Sequence, residues 1–125
     1  MKFVWRDGLI YVPVTVTYNK SVELEAIVDT GSAGTVFDID LFDIELLTRD
    51  PEIVNIVGVG GKQEVLQQTV EQVRIGEILI EQFPAQFGDL DNAFDIKGII
   101  GGDFLNYLDA VIDYEKKIIT FSFHS

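Results

Sequence analysis

Apolar and polar residues alternate from Leu9 to Tyr18. Ile10, Val12, Val14, Val16 and Tyr18 share one face, and Tyr11, Pro13, Thr15 and Thr17 share the other. That is the period of a half-buried strand. Pro13 has no N–H to give a ladder, so the strand is expected at an edge or bulged there. Ahead of it, Phe3 to Arg6 reads as a short strand and Asp7-Gly8 as a tight turn. After it, Asn19-Lys20-Ser21 reverses the chain, and Val22, Leu24, Ala26 and Val28 form the inner face of a returning strand.

The pattern then shortens. Thr35-Val36-Phe37 predicts a short strand, and the apolar spacing from Asp38 to Leu47 predicts a short helix capped by Asp38 or Asp40. Two apolar strands flank Gly58-Val59-Gly60-Gly61. Gln68 to Ile75 and Ile78 to Phe87 are two more, turned at Gly76-Glu77, and Gly88 to Phe94 is a polar loop. Ile99-Ile100 ends a buried strand, Gly101-Gly102 follows, and Asp103 is placed to cap a short helix. Ala110, Ile112 and Tyr114, then Ile119, Phe121 and Phe123, give the last two strand faces across a turn at Glu115-Lys116-Lys117. Many short strands with little helix predict a single β-rich domain over residues 1–125.

Composition narrows the chemistry more than the fold. Apolar residues make up 47% of the chain, enough for a core, and the net charge of -12 argues against nucleic acid or an anionic membrane surface as partner. There is no cysteine and the one histidine is His124, which removes thiolate chemistry, a Ser-His-Asp triad and a multi-histidine metal site. The start of the chain lacks the apolar run of a signal peptide, and no stretch approaches the ~18 apolar residues of a membrane span. A cytoplasmic location is expected.

One acid sits where chemistry can use it. The run Ala26-Ile27-Val28 ends at Asp29-Thr30-Gly31-Ser32, and the chain becomes apolar again after Ala33-Gly34. A carboxylate at the end of a buried strand is partly desolvated yet meets the surface. Gly31 allows a sharp turn and close approach of another chain, and the hydroxyls of Thr30 and Ser32 can orient a carboxylate or backbone group. Asp, Thr, Gly and Ser are also ordinary turn residues. The glycines at 58, 60 and 61 suit a hairpin tip. They do not suit a phosphate cradle, since no Gly-Lys-Ser/Thr follows and no helix opens. Paired glycines at 101 and 102, directly after a buried strand, suggest backbone packed on backbone. Asp89, Asp91 and Asp95 have the alternate spacing of an oxygen-ligand loop without the rest of a calcium pattern, so a solvated loop is the better reading. No metal or cofactor is expected.

Taken in order, Asp29-Thr30-Gly31-Ser32, Gly58-Val59-Gly60-Gly61 and Ile99-Ile100-Gly101-Gly102-Asp103-Phe104-Leu105 resemble the retropepsin-like (retroviral-type) aspartic proteases in their bacterial variety, over roughly residues 9–123. The resemblance implies an all-β fold: a small closed, mostly antiparallel barrel with one or two short helices. It implies Asp29 as the catalytic aspartate within Asp29-Thr30-Gly31, with Thr30 bonded across a homodimer and the Ser32 hydroxyl near the Asp29 carboxylate. It implies Gly58 to Gly61 at the tip of a flap, and Ile99-Ile100-Gly101 packed beside the aspartate loop. Ser32, Ala33, Gly58, Val59, Gly60, Gly61, Ile99 and Ile100 would meet an extended peptide, and Gly101, Gly102 and Asp103 would support the loop. The chain departs from viral members at Gly102 and Ala33, where those carry an arginine and an acid that pair. Dimer contacts would then fall to the strands at Met1 to Arg6 and Ile118 to Phe123. The alternative is a module of the same fold that dimerises or binds peptide without cutting it.

Overall fold

The alternating stretch forms strand β2 (Leu9–Tyr18) in a computed structural model that describes residues 1–42, 52–58, 61–90 and 96–123. The other elements are β1 (Val4–Arg6), β3 (Lys20–Val28), β4 (Val36–Asp38), β5 (Glu52–Gly58), β6 (Gly61–Ile75), β7 (Ile78–Gly88), β8 (Gly98–Ile100), helix α1 (Gly102–Tyr107), β9 (Val111–Asp113) and β10 (Ile118–Thr120). The sheet order is β1-β2-β3-β8-β4-β7-β6-β5, and a further β2–β6 ladder returns the sheet onto itself. The fold is all-β and mostly antiparallel; among the described residues only β3–β8 and β4–β7 run parallel.

The inward faces meet as the alternation requires. Val12, Val14, Val16, Ala26, Phe37, Val70, Val73, Phe87 and Ile100 form one core with Phe104 of α1. Phe104 is fully buried, with ring centroids 5.5 Å from Phe83 and 6.2 Å from Phe121. Tyr11, on the outer face of β2, is buried as well, because the Arg6 guanidinium lies 4.0 Å above its ring. The β1–β2 turn places Asp7 and Gly8 at positive φ (55° and 79°), the conformation a two-residue hairpin of this kind needs.

Pro13 is tolerated for a reason visible in the register. Beyond β3, β2 pairs with β1 at Leu9–Tyr11 and with β6 at Thr15–Thr17. Pro13 falls in the gap between those two partners, so no ladder bond is lost on that side.

Three expectations change. The apolar strand expected after Gly61 and the strand expected over Gln68 to Ile75 are one, β6, which pairs with β5 at its start and with β7 from Leu66 onward. The helix expected over Asp38 to Leu47 is, in its described part, a 3-10 turn at Ile39–Leu41, with the Asp38 side chain accepting from the Asp40 amide (3.3 Å); the rest lies outside the described residues. Within the polar loop, Leu90 is buried against Val36 and Val65.

The two chain ends meet. The Met1 amino group donates to the Ile119 carbonyl, the Ile119 amide to the Met1 carbonyl (both 2.9 Å), and the Phe3 amide to the Lys117 carbonyl (3.0 Å). The segments expected to hold a second copy thus meet within one chain at Met1–Phe3 and Lys117–Ile119, while β1 pairs with β2 and β10 with β9. No helix among the described residues is long and apolar enough to cross a membrane.

Candidate active site

The aspartate loop begins where β3 stops. Ile27 and Val28 pair with Ile99 and Ile100 of β8, and the ladder runs one step further as the Asp29 amide donates to the Ile100 carbonyl (2.9 Å). Asp29 is therefore fixed by its backbone to the end of a buried strand, and is itself partly exposed. Its Oδ1 accepts from the Gly31 amide (2.9 Å). Among the described residues this is the carboxylate's single hydrogen bond, which leaves Oδ2 for a ligand. Thr30 and Gly31 are exposed beside it.

The loop is held from below by α1. The Gly102 amide donates to the Ser32 carbonyl (2.7 Å) and the Asp103 amide to the Ala33 carbonyl (3.1 Å). Gly101 permits this approach: a Cβ there would collide with the carbonyl group of Gly34 and lie 2.9 Å from the Ser32 oxygen. The paired glycines thus reflect backbone packed on backbone.

Asp103 was expected to cap the helix. Gly101 occupies the cap, with no side-chain bond, and the Asp103 carboxylate turns to Thr35 instead. Its Oδ1 accepts from the Thr35 hydroxyl and the Phe104 amide (2.7 Å each), and its Oδ2 from the Thr35 amide (3.1 Å). The Thr35 oxygen in turn accepts from the Gly101 amide (3.1 Å). Thr35 is fully buried, and sequence reasoning passed over it as a strand residue. The available signal was a hydroxyl in an otherwise apolar run, Thr35-Val36-Phe37. This intrachain link joins the two segments that viral members tie with an ion pair.

Other predicted residues divide. Ser32 is buried, and its one hydroxyl proton goes to the Gly34 carbonyl (2.9 Å), not to Asp29. Ile100 points into the core and is fully buried, whereas Ile99 turns to the opposite face and packs against a second cluster of Val36, Val65 and Leu90. Ala33 is exposed, and its amide donates to the Val57 carbonyl of β5 (2.9 Å). Gly58 lies over the same loop, its Cβ direction 3.6 Å from the Gly31 carbonyl oxygen. Gly61 pairs with Gly58 and has φ of 104°; Val59 and Gly60 lie outside the described residues. The β5–β6 hairpin therefore rests on the aspartate loop. On the other side of Thr30 is an open depression of about 480 Å³, lined by Thr30, Gly102, Leu105, Asn106, Asp109 and Ala110.

Asp91 and Asp95 are outside the described residues. Asp89 instead groups with Asp38 and Asp40, their carboxylates within 4.8 Å of one another. The buried Asp38 already has the Asp40 amide and the Lys97 ammonium (3.9 Å) as partners, which accounts for it without a cation.

Comparison with known proteins agrees with this geometry. A retropepsin-like aspartic protease from Rickettsia conorii superposes with a TM-score of 0.60 at 20% sequence identity, covering 90% of this chain and 84% of that one. At that identity the likeness shows the fold. No curated protein matches the chain. A family model described as aspartyl protease matches residues 12–104, a span that takes in the Asp29 loop, the hairpin and the Gly101–Asp103 support. With most of its length matched, the chain belongs to the aspartyl protease family, and its fold is retropepsin-like.

Proposed function

We propose that the protein is an aspartic endopeptidase that works as a homodimer. The carrying observation is the Asp29 loop: a partly exposed carboxylate at the end of a buried strand, braced by Thr35 and Asp103, beneath a glycine-bounded hairpin. The reaction needs two carboxylates side by side. Like charges that close cannot both ionise, so the pair shares a proton. The ionised member takes a proton from water, and the protonated member polarises the scissile carbonyl and then donates to the leaving amine. No covalent intermediate forms. One chain supplies one such loop, so the second carboxylate is Asp29 of a second copy related by a two-fold axis.

The substrate is a peptide in extended form, bonded through its main chain as an added strand. The Ala33 amide and the Val57 carbonyl, now bonded to each other, are the two groups such a strand would separate and use. The second copy would meet the Thr30 face, where the two Asp29 loops can approach across the axis. The protein requires no cofactor for this chemistry.

The meeting of the two ends within one chain favours a second reading, a fold module that binds peptide without cutting it. Wild type and Asp29→Asn, incubated with a diverse peptide mixture and sized in solution, separate the two. A dimer that cuts only with Asp29 intact supports the protease. A wild type that binds peptides and never cuts them, or that stays monomeric at high concentration, overturns it.

A further inference from the structure

Gln86 is a polar residue in a place built for an apolar one. Its neighbours Ala85 and Phe87 point into the core, so by strand alternation Gln86 points to the opposite face. It sits in register with Val36 on one side and Gln67 on the other, and its amide donates to the Thr35 carbonyl (3.2 Å) at the end of the aspartate loop. That face carries the second apolar cluster: Val54 and Val65 from the hairpin lie on Val36, Ile99 and Leu90. Ile99 adjoins Ile100, whose carbonyl holds the Asp29 amide. The face is therefore roofed by the hairpin and bordered by the aspartate loop.

Gln86 is 7% exposed, and its Nε2 donates to Gln67 Oε1 (2.9 Å). Its own Oε1 is buried without a partner among the described residues. Buried acceptors are nearly always paired, and an orphan destabilises the fold. A leucine or methionine would fill the site without that orphan, though it would give up the bond to the half-buried Gln67. Gln68 Oε1 is also unpaired, but Gln68 sits opposite Ala85 on the core side, away from the hairpin.

We infer that Gln86 is a specificity-determining residue. It floors a subsite under the hairpin and accepts a hydrogen bond from a substrate carboxamide, the side chain of asparagine or glutamine. The inference rests on the protease reading. A substrate that parts Ala33 from Val57 also lifts the hairpin from this face, and one of its side chains enters beside Val36 and Ile99. Turning the Gln86 amide over would leave a donor unpaired in place of an acceptor. A carboxamide satisfies either arrangement, and an apolar side chain satisfies neither.

The test is cleavage of matched peptide pairs that differ by glutamine or leucine at each position around the cut bond, by wild type, Gln86→Leu and Gln86→Met. At one position the wild type should favour glutamine by about tenfold in kcat/KM, the scale of one net hydrogen bond. Both variants should lose that preference while still cutting the leucine peptides, and should melt near the wild-type temperature, the removed orphan offsetting the lost Gln67 bond. The inference is overturned if the wild type cuts with no carboxamide preference anywhere, or if both variants keep it. Should the wild type cut nothing, the protease reading fails separately. Fluorescence polarisation of the same peptides on Asp29→Asn then decides for Gln86: an affinity preference for glutamine that Gln86→Met removes supports it, and equal affinities overturn it.

Discussion

Replacing Thr35 by valine removes one oxygen and almost no volume, which makes it a clean probe of the loop's support. Thr35 is fully buried, so the change opens no path for water. Two bonds disappear: hydroxyl to Asp103 Oδ1 (2.7 Å) and Gly101 amide to the hydroxyl oxygen (3.1 Å). The Gly101 amide is buried and is left without a partner, a loss of about 1–3 kcal/mol. The bond to the Asp103 carboxylate is charge-assisted but has an exposed partner, and adds about 1 kcal/mol. The sum is about 2–4 kcal/mol, a large share of the stability of a domain this size. At about 3–5 °C per kcal/mol, the melting temperature should fall by about 6–20 °C. Thr35→Ser keeps both bonds and loses a methyl group, so it should cost only about 1 kcal/mol. Urea unfolding of the three proteins, with m-values compared, measures this directly. If valine costs less than about 1 kcal/mol, or serine costs as much as valine, the hydroxyl does not brace the loop and the described support is wrong.

Gly101→Ala should destabilise by more than about 3 kcal/mol, because its Cβ meets backbone of Gly34 and Ser32 that cannot turn aside; the yield of folded protein and its denaturation midpoint report it. Phe104→Ala should cost about 3–5 kcal/mol in the same assay, since the ring is fully buried between Phe83 and Phe121. In native-state hydrogen exchange, the Ala33 amide should exchange faster than that of Asp29. The Ala33 amide is bonded to Val57 on the hairpin, whereas the Asp29 amide is bonded to a core strand; equal protection would mean the hairpin does not open by itself. A saturating extended peptide should change the Ala33 amide NMR shift and leave that of Gly102, which is bonded to Ser32 within the support, nearly unmoved.

Much of this was readable from residue pattern. Alternation over Leu9–Tyr18 located a core strand because a face that packs inward must be apolar at every second position. Gly101-Gly102 announced close backbone approach because no side chain fits there. What was not readable is pairing between distant residues. Nothing local distinguishes the Asp103 carboxylate as a helix cap from Asp103 as the partner of Thr35. Both use the same atoms, and only the tertiary position of β4 decides. Tyr11 was assigned to the wet face because its cover, Arg6, comes from a neighbouring strand. β6 reads as two strands parted at Gln67 because its pairing partner changes there, which alters burial but not the run of the chain. Ser32 looked free to serve Asp29, yet the tight turn offers it the Gly34 carbonyl first.

The closure of the two chain ends on each other separates folding from assembly. A protomer whose Met1–Phe3 segment is already bonded to Lys117–Ile119 completes its own sheet without a neighbour. In the proposed dimer, association is then a reversible equilibrium between finished parts, governed by mass action. Unfolding midpoints should not depend on protein concentration where the protein is too dilute to pair, and turnover per chain should climb as concentration passes into the range where pairs form. Dilution would silence such an enzyme without unfolding it, so the amount of protein present would itself act as the switch.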